Sequence, residues 1–184
     1  MPDESPRRRP LLREPVSVDL VNTRWIDGGV PHDLLDTLDG LAQWLRESDL
    51  APRFEAGPQT LGHLLHARDA LARLLDDPGE PHATADLNAV LAHGRVIRLL
   101  SEGHSASTVE FDAPEWGPAW TAAADFLDLR ARPDRIRGCA NPACVLHFFD
   151  TSKNGTRRWC SMSGCGNRAK AARHHARERA GRTA

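Results

Sequence analysis

The chain has 184 residues, 40% of them hydrophobic, enough for one medium domain with its own core and a small module beside it. No run of about 18 uncharged apolar residues occurs, which excludes a membrane-spanning helix, and the Pro/Arg-rich start has no apolar segment that would serve as a secretory signal. The net charge of −1 conceals a split: residues 1–132 hold 13 Arg against 22 Asp and Glu, whereas residues 133–184 hold 11 Arg and Lys against 3 Asp and Glu. An acidic body with a basic C-terminal part predicts a polyanionic partner for that part. The cytoplasm is the expected compartment, where reduced thiols favour metal binding over disulfides.

In chain order, residues 1–13 read as a disordered arm, rich in Pro and Arg. In residues 14–25 the apolar positions Val16, Val18, Leu20 and Val21 suit a strand and a helix start equally. Thr37 predicts an N-cap for a helix over 38–48, with Leu38, Leu41, Ala42 and Leu45 on one face. A longer helix is predicted over 60–76, stopped by Asp76-Asp77-Pro78-Gly79. Thr84 can cap a third helix over 85–93. Residues 95–100 and 108–111 read as a hairpin, and residues 115–131 as a fourth helix. Arg132-Pro133-Asp134 is the natural boundary. The expected organisation is thus an arm (1–13), a mainly α domain with a small β-hairpin (14–132) and a C-terminal module (133–184).

That module contains all four cysteines, as Cys139-x4-Cys144-x15-Cys160-x4-Cys165. Two close thiol pairs separated by a short loop suit one tetrahedral Zn²⁺, each pair taking two corners. Asn141-Pro142 supplies the turn of a knuckle. Residues 145–149 and 156–159 read as a hairpin around the turn 150–155, Ser161 as a cap, and residues from about 167 to 179 as a helix. Knuckle, hairpin and helix make a treble-clef-like finger with almost no core of its own. Its folding then depends on metal, worth about 10–16 kcal/mol in zinc-finger peptides. His147 is close enough to compete as a ligand, but four thiolates already fill the tetrahedron.

On the terminal helix, Ala169, Ala172, Ala176 and Ala180 form a smooth stripe, while Lys170, Arg173, His174 and Arg177 fall on another face. Lys153, Arg157 and Arg158 extend this basic surface, and Arg168 at the helix start is placed to reach base edges. Such a surface suits DNA phosphates.

The segments Asp150-Thr151-Ser152-Lys153-Asn154, Arg157-Arg158-Trp159-Cys160-Ser161-Met162 and Cys165-Gly166-Asn167-Arg168-Ala169-Lys170 closely resemble the CGNR zinc finger. Asp19-Leu20-Val21-Asn22-Thr23 and Leu35-Asp36-Thr37 are similar to the ABATE domain of putative stress-induced transcription regulators, which usually precedes that finger. The resemblance implies a bacterial cytoplasmic protein, a mainly helical N-terminal domain and DNA binding through the finger. His147-Phe148 and Gly155 depart from the family pattern without touching a ligand.

Asp19, Asn22 and Thr23, polar residues in an apolar segment, form either a structural network or part of a ligand pocket. Trp25, Trp44, Trp116 and Trp120 either line an effector pocket or belong to the core. His63 and His66 read as surface histidines. The leading expectation is a DNA-binding regulator, not an enzyme, whose N-terminal domain senses a small-molecule signal or forms a homodimer. The alternative is a zinc-dependent protein- or RNA-interaction module.

Overall fold

A computed structural model describes residues 8–182, apart from the side chains of 173, 175–177 and 179–182. The ambiguous segment after residue 14 is both elements in turn: a six-residue helix α1 (Val16–Val21), then strand β1 (Arg24–Asp27), paired antiparallel with β2 (Val30–Asp33). Gly28 and Gly29 make the connection with φ of 56° and 86°. A two-residue hairpin turn of this hand needs positive φ at both positions, which glycine adopts without steric cost.

Helix α2 (Leu38–Glu47) starts as expected, the Thr37 hydroxyl accepting from Gly40 N–H at 3.1 Å. Helix α3 (Pro58–Asp76) has Pro58 in its first turn and buries Leu64, Ala67, Arg68, Leu71 and Leu74 at helical spacing. Helix α4 (Pro81–Leu91) begins earlier than Thr84 would set it. The Glu80 carboxylate accepts from His82 and Ala83 N–H groups, and Pro81 fits the first helical position. Strands β3 (Gly94–Ser101) and β4 (His104–Phe111) form a two-stranded ribbon longer than the sequence suggested, anchored at its base by Phe111 against Phe54 and Trp120. Helix α5 (Gly117–Leu129) packs on α1, α3 and α4, where fully buried Ala119, Ala122 and Ala123 permit close approach. Trp44, Leu64 and Leu71 have no exposed surface, and burying each such side chain stabilises the fold by about 1.5–3 kcal/mol. Among the described residues no helix is long and apolar enough to cross a membrane.

The polar cluster of α1 holds separate parts of the chain together. Asp19, 4% exposed, accepts from Arg9 Nη1 at 2.8 Å and from Trp44 Nε1 at 3.0 Å, while Arg9 also reaches Glu47 at 2.6 Å. Arg9 is itself buried, so the expectation of a disordered arm fails there; residues 1–7 lie outside the described residues. The reason is electrostatic. Burial pushes the Asp19 carboxyl above its ordinary value, and the Arg9 guanidinium offsets that cost. Thr23 donates to Leu20 C=O and accepts from Arg68, which also makes two bonds to Asp33 at 2.7 and 2.9 Å.

Asn22 makes the longest-range link. Its amide donates to His147 C=O and accepts from His147 N–H, both at 2.9 Å. The partner is the last strand pair, β5 (Ile136–Gly138) with β6 (His147–Phe149), so one edge of β6 pairs with β5 and the other with side chains of the body. Glu14 continues this second edge by accepting from Phe149 N–H at 2.8 Å. The expected hairpin of 145–149 with 156–159 is thereby corrected: β6 pairs backwards with β5, the knuckle lies at the tip of that hairpin, and 156–159 is irregular. Replacing Asn22 with Ala should destabilise the protein by about 2 kcal/mol, because two strand backbone groups lose their partner in a buried setting. Urea unfolding should in addition separate into two transitions, with 133–182 melting first; one unchanged transition would contradict this role.

Candidate metal centre

The first thiol pair is set by the β5–β6 connection. Cys139 N–H bonds Leu146 C=O at 2.9 Å, Asn141 Oδ1 accepts from Ala143 N–H at 3.2 Å, and Cys144 N–H returns to Asn141 C=O at 2.9 Å. This wraps the knuckle so that both sulfurs face one point. In the second pair Cys160 precedes a wide helical turn, Met162–Gly166, and Cys165 lies within it; the Ser161 hydroxyl caps the turn by accepting from Gly164 N–H. The turn leads into α6 (Asn167–Arg182). At Gly166 a Cβ would stand 2.8 Å from the Met162 sulfur, so a larger residue would displace the Met162 side chain that lies over this glycine.

All four sulfurs lie within 4.8 Å of one another, with Cys144–Cys160 at 3.8 Å and Cys160–Cys165 at 3.6 Å. Four thiolates about 2.3 Å from a tetrahedral zinc have S–S edges of about 3.8 Å. The donor set therefore fits a single Zn²⁺, and the four cysteines could hold one ion. Bound there, the ion supplies a crosslink between the knuckle and the start of α6, with no coordination position left for a substrate.

Donors around the sulfurs match this chemistry. Asn141 Nδ2 donates to Cys165 Sγ at 3.2 Å, Cys160 N–H to Cys139 Sγ at 3.4 Å and Arg168 Nη2 to Cys165 Sγ at 3.5 Å. Hydrogen bonding from Cys160 holds the Cys144 thiol down at about 5, and the same pairing pushes Cys160 up. Asn167 Nδ2 donates to Ser163 C=O at 3.3 Å. Each residue of Cys165-Gly166-Asn167-Arg168 thus has its own local role, respectively as ligand, point of close approach, turn clamp and thiolate donor.

The loop between the pairs is organised by a buried carboxylate. Asp150, 1% exposed, accepts from Ser152 N–H at 2.9 Å, Arg157 N–H at 3.0 Å and Arg137 Nη1 at 3.4 Å. Hydrogen bonds from Ser152 first and from Arg157 N–H, together with the nearby charge of Arg135, hold it below the ordinary carboxylate range. Arg137 also donates to Gly155 and Arg157 carbonyls, and Arg135 to those of Asp150 and Ser152. These interactions take up the backbone groups that a returning strand would have used.

The basic surface read from the sequence divides accordingly. Lys153, Arg158 and Lys170 are exposed, Arg158 lying 5.4 Å from the Trp159 ring. Arg157 is turned inward: it bonds Glu14 at 3.1 Å, Cys160 C=O at 2.6 Å and Trp159 C=O at 3.1 Å, and covers the Phe148 ring at 4.2 Å. Arg168 is exposed but directed to the thiolate. His174 is exposed and 3.5 Å from Glu178, while Arg173 and Arg177 lie on α6 with side chains outside the described residues.

Asp19, Asn22 and Thr23 are buried and form the links described above. Trp44 is core, Trp120 donates to Leu91 C=O at 3.0 Å, and Trp116 lies between the rings of His63 and His93, with centroids 3.5 and 3.7 Å away. His63 is therefore a packing residue rather than a plain surface histidine. Sequence reasoning missed Glu14, Arg135 and Arg137, whose roles depend on contacts with no local spacing signal.

Arg168→Met should lower zinc affinity by about tenfold, the usual cost of losing a donor to a ligand, in competition with a chromophoric chelator. Unchanged zinc affinity would refute the thiolate-donor assignment.

Residues 135–178 match the CGNR zinc finger model, and residues 14–133 match the model described as putative stress-induced transcription regulator, ABATE. No curated protein matches the chain. With one model covering more than half of its length and the second following in order, the chain belongs to the ABATE family and carries a C-terminal CGNR zinc finger.

Proposed function

We propose that the protein is a DNA-binding transcriptional regulator, its finger contacting DNA and its N-terminal domain sensing a signal or pairing two copies. The observation that carries this reading is the charge on the finger. Lys153, Arg158 and Lys170 are exposed, whereas Asp150, the acid of the same loop, is buried against Arg137 and backbone N–H groups and does not offset them. Arg173 and Arg177 add charge along α6, a helix of suitable length for the major groove. The family description, a transcription regulator, agrees with such a role.

Because Arg157 is engaged internally, its contribution is to shape the loop rather than to meet phosphate. One small finger makes few base contacts, so useful specificity calls for two copies on paired half-sites. The zinc is structural rather than catalytic in this reading, since four thiolates close the coordination sphere. A thiolate site of this kind suits the reducing cytoplasm.

Fluorescence anisotropy with duplex DNA across a salt series tests this. With about 4 phosphates neutralised per finger, log K should fall against log[salt] with a slope near −4. Reversing Lys153, Arg158 and Lys170 to Glu together should flatten the slope by about 3 and weaken binding more than about tenfold at low salt. Affinity indifferent to salt would sink the DNA reading. Loss of an RNA or protein complex with DNA retention unchanged would favour an interaction module instead.

A further inference from the structure

We propose that the cavity between the β1–β2 hairpin, α3 and the zinc knuckle binds a small heteroaromatic amine. The proposal rests on the reading that the N-terminal domain senses a signal, and it gives that signal a site and a chemistry. The cavity has a volume of about 850 Å³ and is walled on one side by Trp25, Ala72 and Asp76 and on the other by Gly138, Cys139, Cys144 and His147. Small-molecule sites typically span about 300–1,000 Å³, so its size suits a metabolite with one or two fused rings.

Three observations define the occupant. First, Trp25, 5% exposed, stacks on His32 with centroids 5.2 Å apart and planes 13° from parallel, a rigid aromatic surface in the wall. Flat rings stack on such a surface, and a cationic amine is drawn to it. Second, the lining holds Asp33, Asp36 and Asp76 against Arg24 and Arg68, and both arginines bond Asp33. Charge balance in the cavity is negative, which selects an amine over a carboxylate. Third, two buried side-chain polar atoms lack a hydrogen-bond partner among the described residues, Arg68 Nε and His147 Nδ1, and both residues line this cavity. Orphaned buried groups are uncommon in a finished fold; Arg68 Nε–H needs an acceptor and His147 Nδ1 takes a donor or an acceptor, so the ring edge of the ligand carries an acceptor atom such as a hydroxyl oxygen.

The position adds a consequence. Cys139 and Cys144 form part of the wall, so the occupant touches the loop that holds the metal. A ligand that tightens this loop raises zinc affinity, and zinc raises ligand affinity by the same factor.

Isothermal titration of the full zinc-loaded chain with 5-hydroxytryptamine, whose ring hydroxyl can accept from Arg68, tests the proposal, with 5-hydroxyindole-3-acetate as the same ring bearing the opposite charge. One 5-hydroxytryptamine per chain should bind, and 5-hydroxyindole-3-acetate at least about tenfold more weakly. Ala72→Phe, which fills the cavity from α3 without removing a hydrogen bond, should abolish binding. Asp76→Asn, an exposed change at the end of α3, should narrow the preference for the amine. Absence of 5-hydroxytryptamine binding up to about 1 mM, a weak limit for any specific site, would overturn the proposal. Equal affinity for the acid, or unaltered binding by a folded Ala72→Phe variant, would overturn it as well. DNA binding is measured separately: 5-hydroxytryptamine binding with no DNA retention leaves the site standing and removes the DNA reading. Binding that leaves both zinc and DNA affinity unchanged removes the signalling role.

Discussion

The carboxamide of Asn22 completes a strand edge across the two parts of this protein. Asn22, at the end of a six-residue helix, presents its oxygen and nitrogen to the backbone of His147 as a neighbouring strand would. A three-residue strand with one partner has little stability of its own. With β5 on one side and Asn22 and Glu14 on the other, β6 is paired on both edges, and Phe148 and Leu146 enter the common core. The knuckle carried by β6 thereby acquires a fixed position on the body.

Zinc and body then stabilise the finger by different means. The ion closes the long connection between the knuckle and α6, which the short finger strands could not do. The body supplies the hydrophobic surface that the finger lacks. Charged residues follow the same division. Arg135, Arg137 and Arg157 bond carbonyls and carboxylates of the chain itself, whereas Lys153, Arg158 and Lys170 are exposed. Positive charge in the sequence therefore has two jobs, and only contacts tell them apart.

Much of the finger's chemistry was legible. Cysteine spacing identifies the ligands because chelation requires closely spaced pairs, and Ser161 caps the turn as its position suggests. Thr37 and the apolar period of α3 were equally readable, since both are local signals. The β1–β2 hairpin was missed although Gly28-Gly29 lies at its turn, because the strands are only four residues long. The role of Asn22 could not be read, as its partner lies 125 residues away. For the same reason Arg157 looked like a surface cation: Glu14, which receives it, is 143 residues distant.

The central claim is that zinc holds the finger in a form whose strand β6 is completed by the body, so that metal and α1 are energetically coupled. Hydrogen exchange of individual amides with and without zinc tests this most directly. Stripping the metal should expose the N–H groups of His147, Phe149 and Arg157 and also reduce protection in α1, while α3 and α5 stay protected. Full protection of α1 after zinc removal, or a finger that stays protected without metal, would contradict the account.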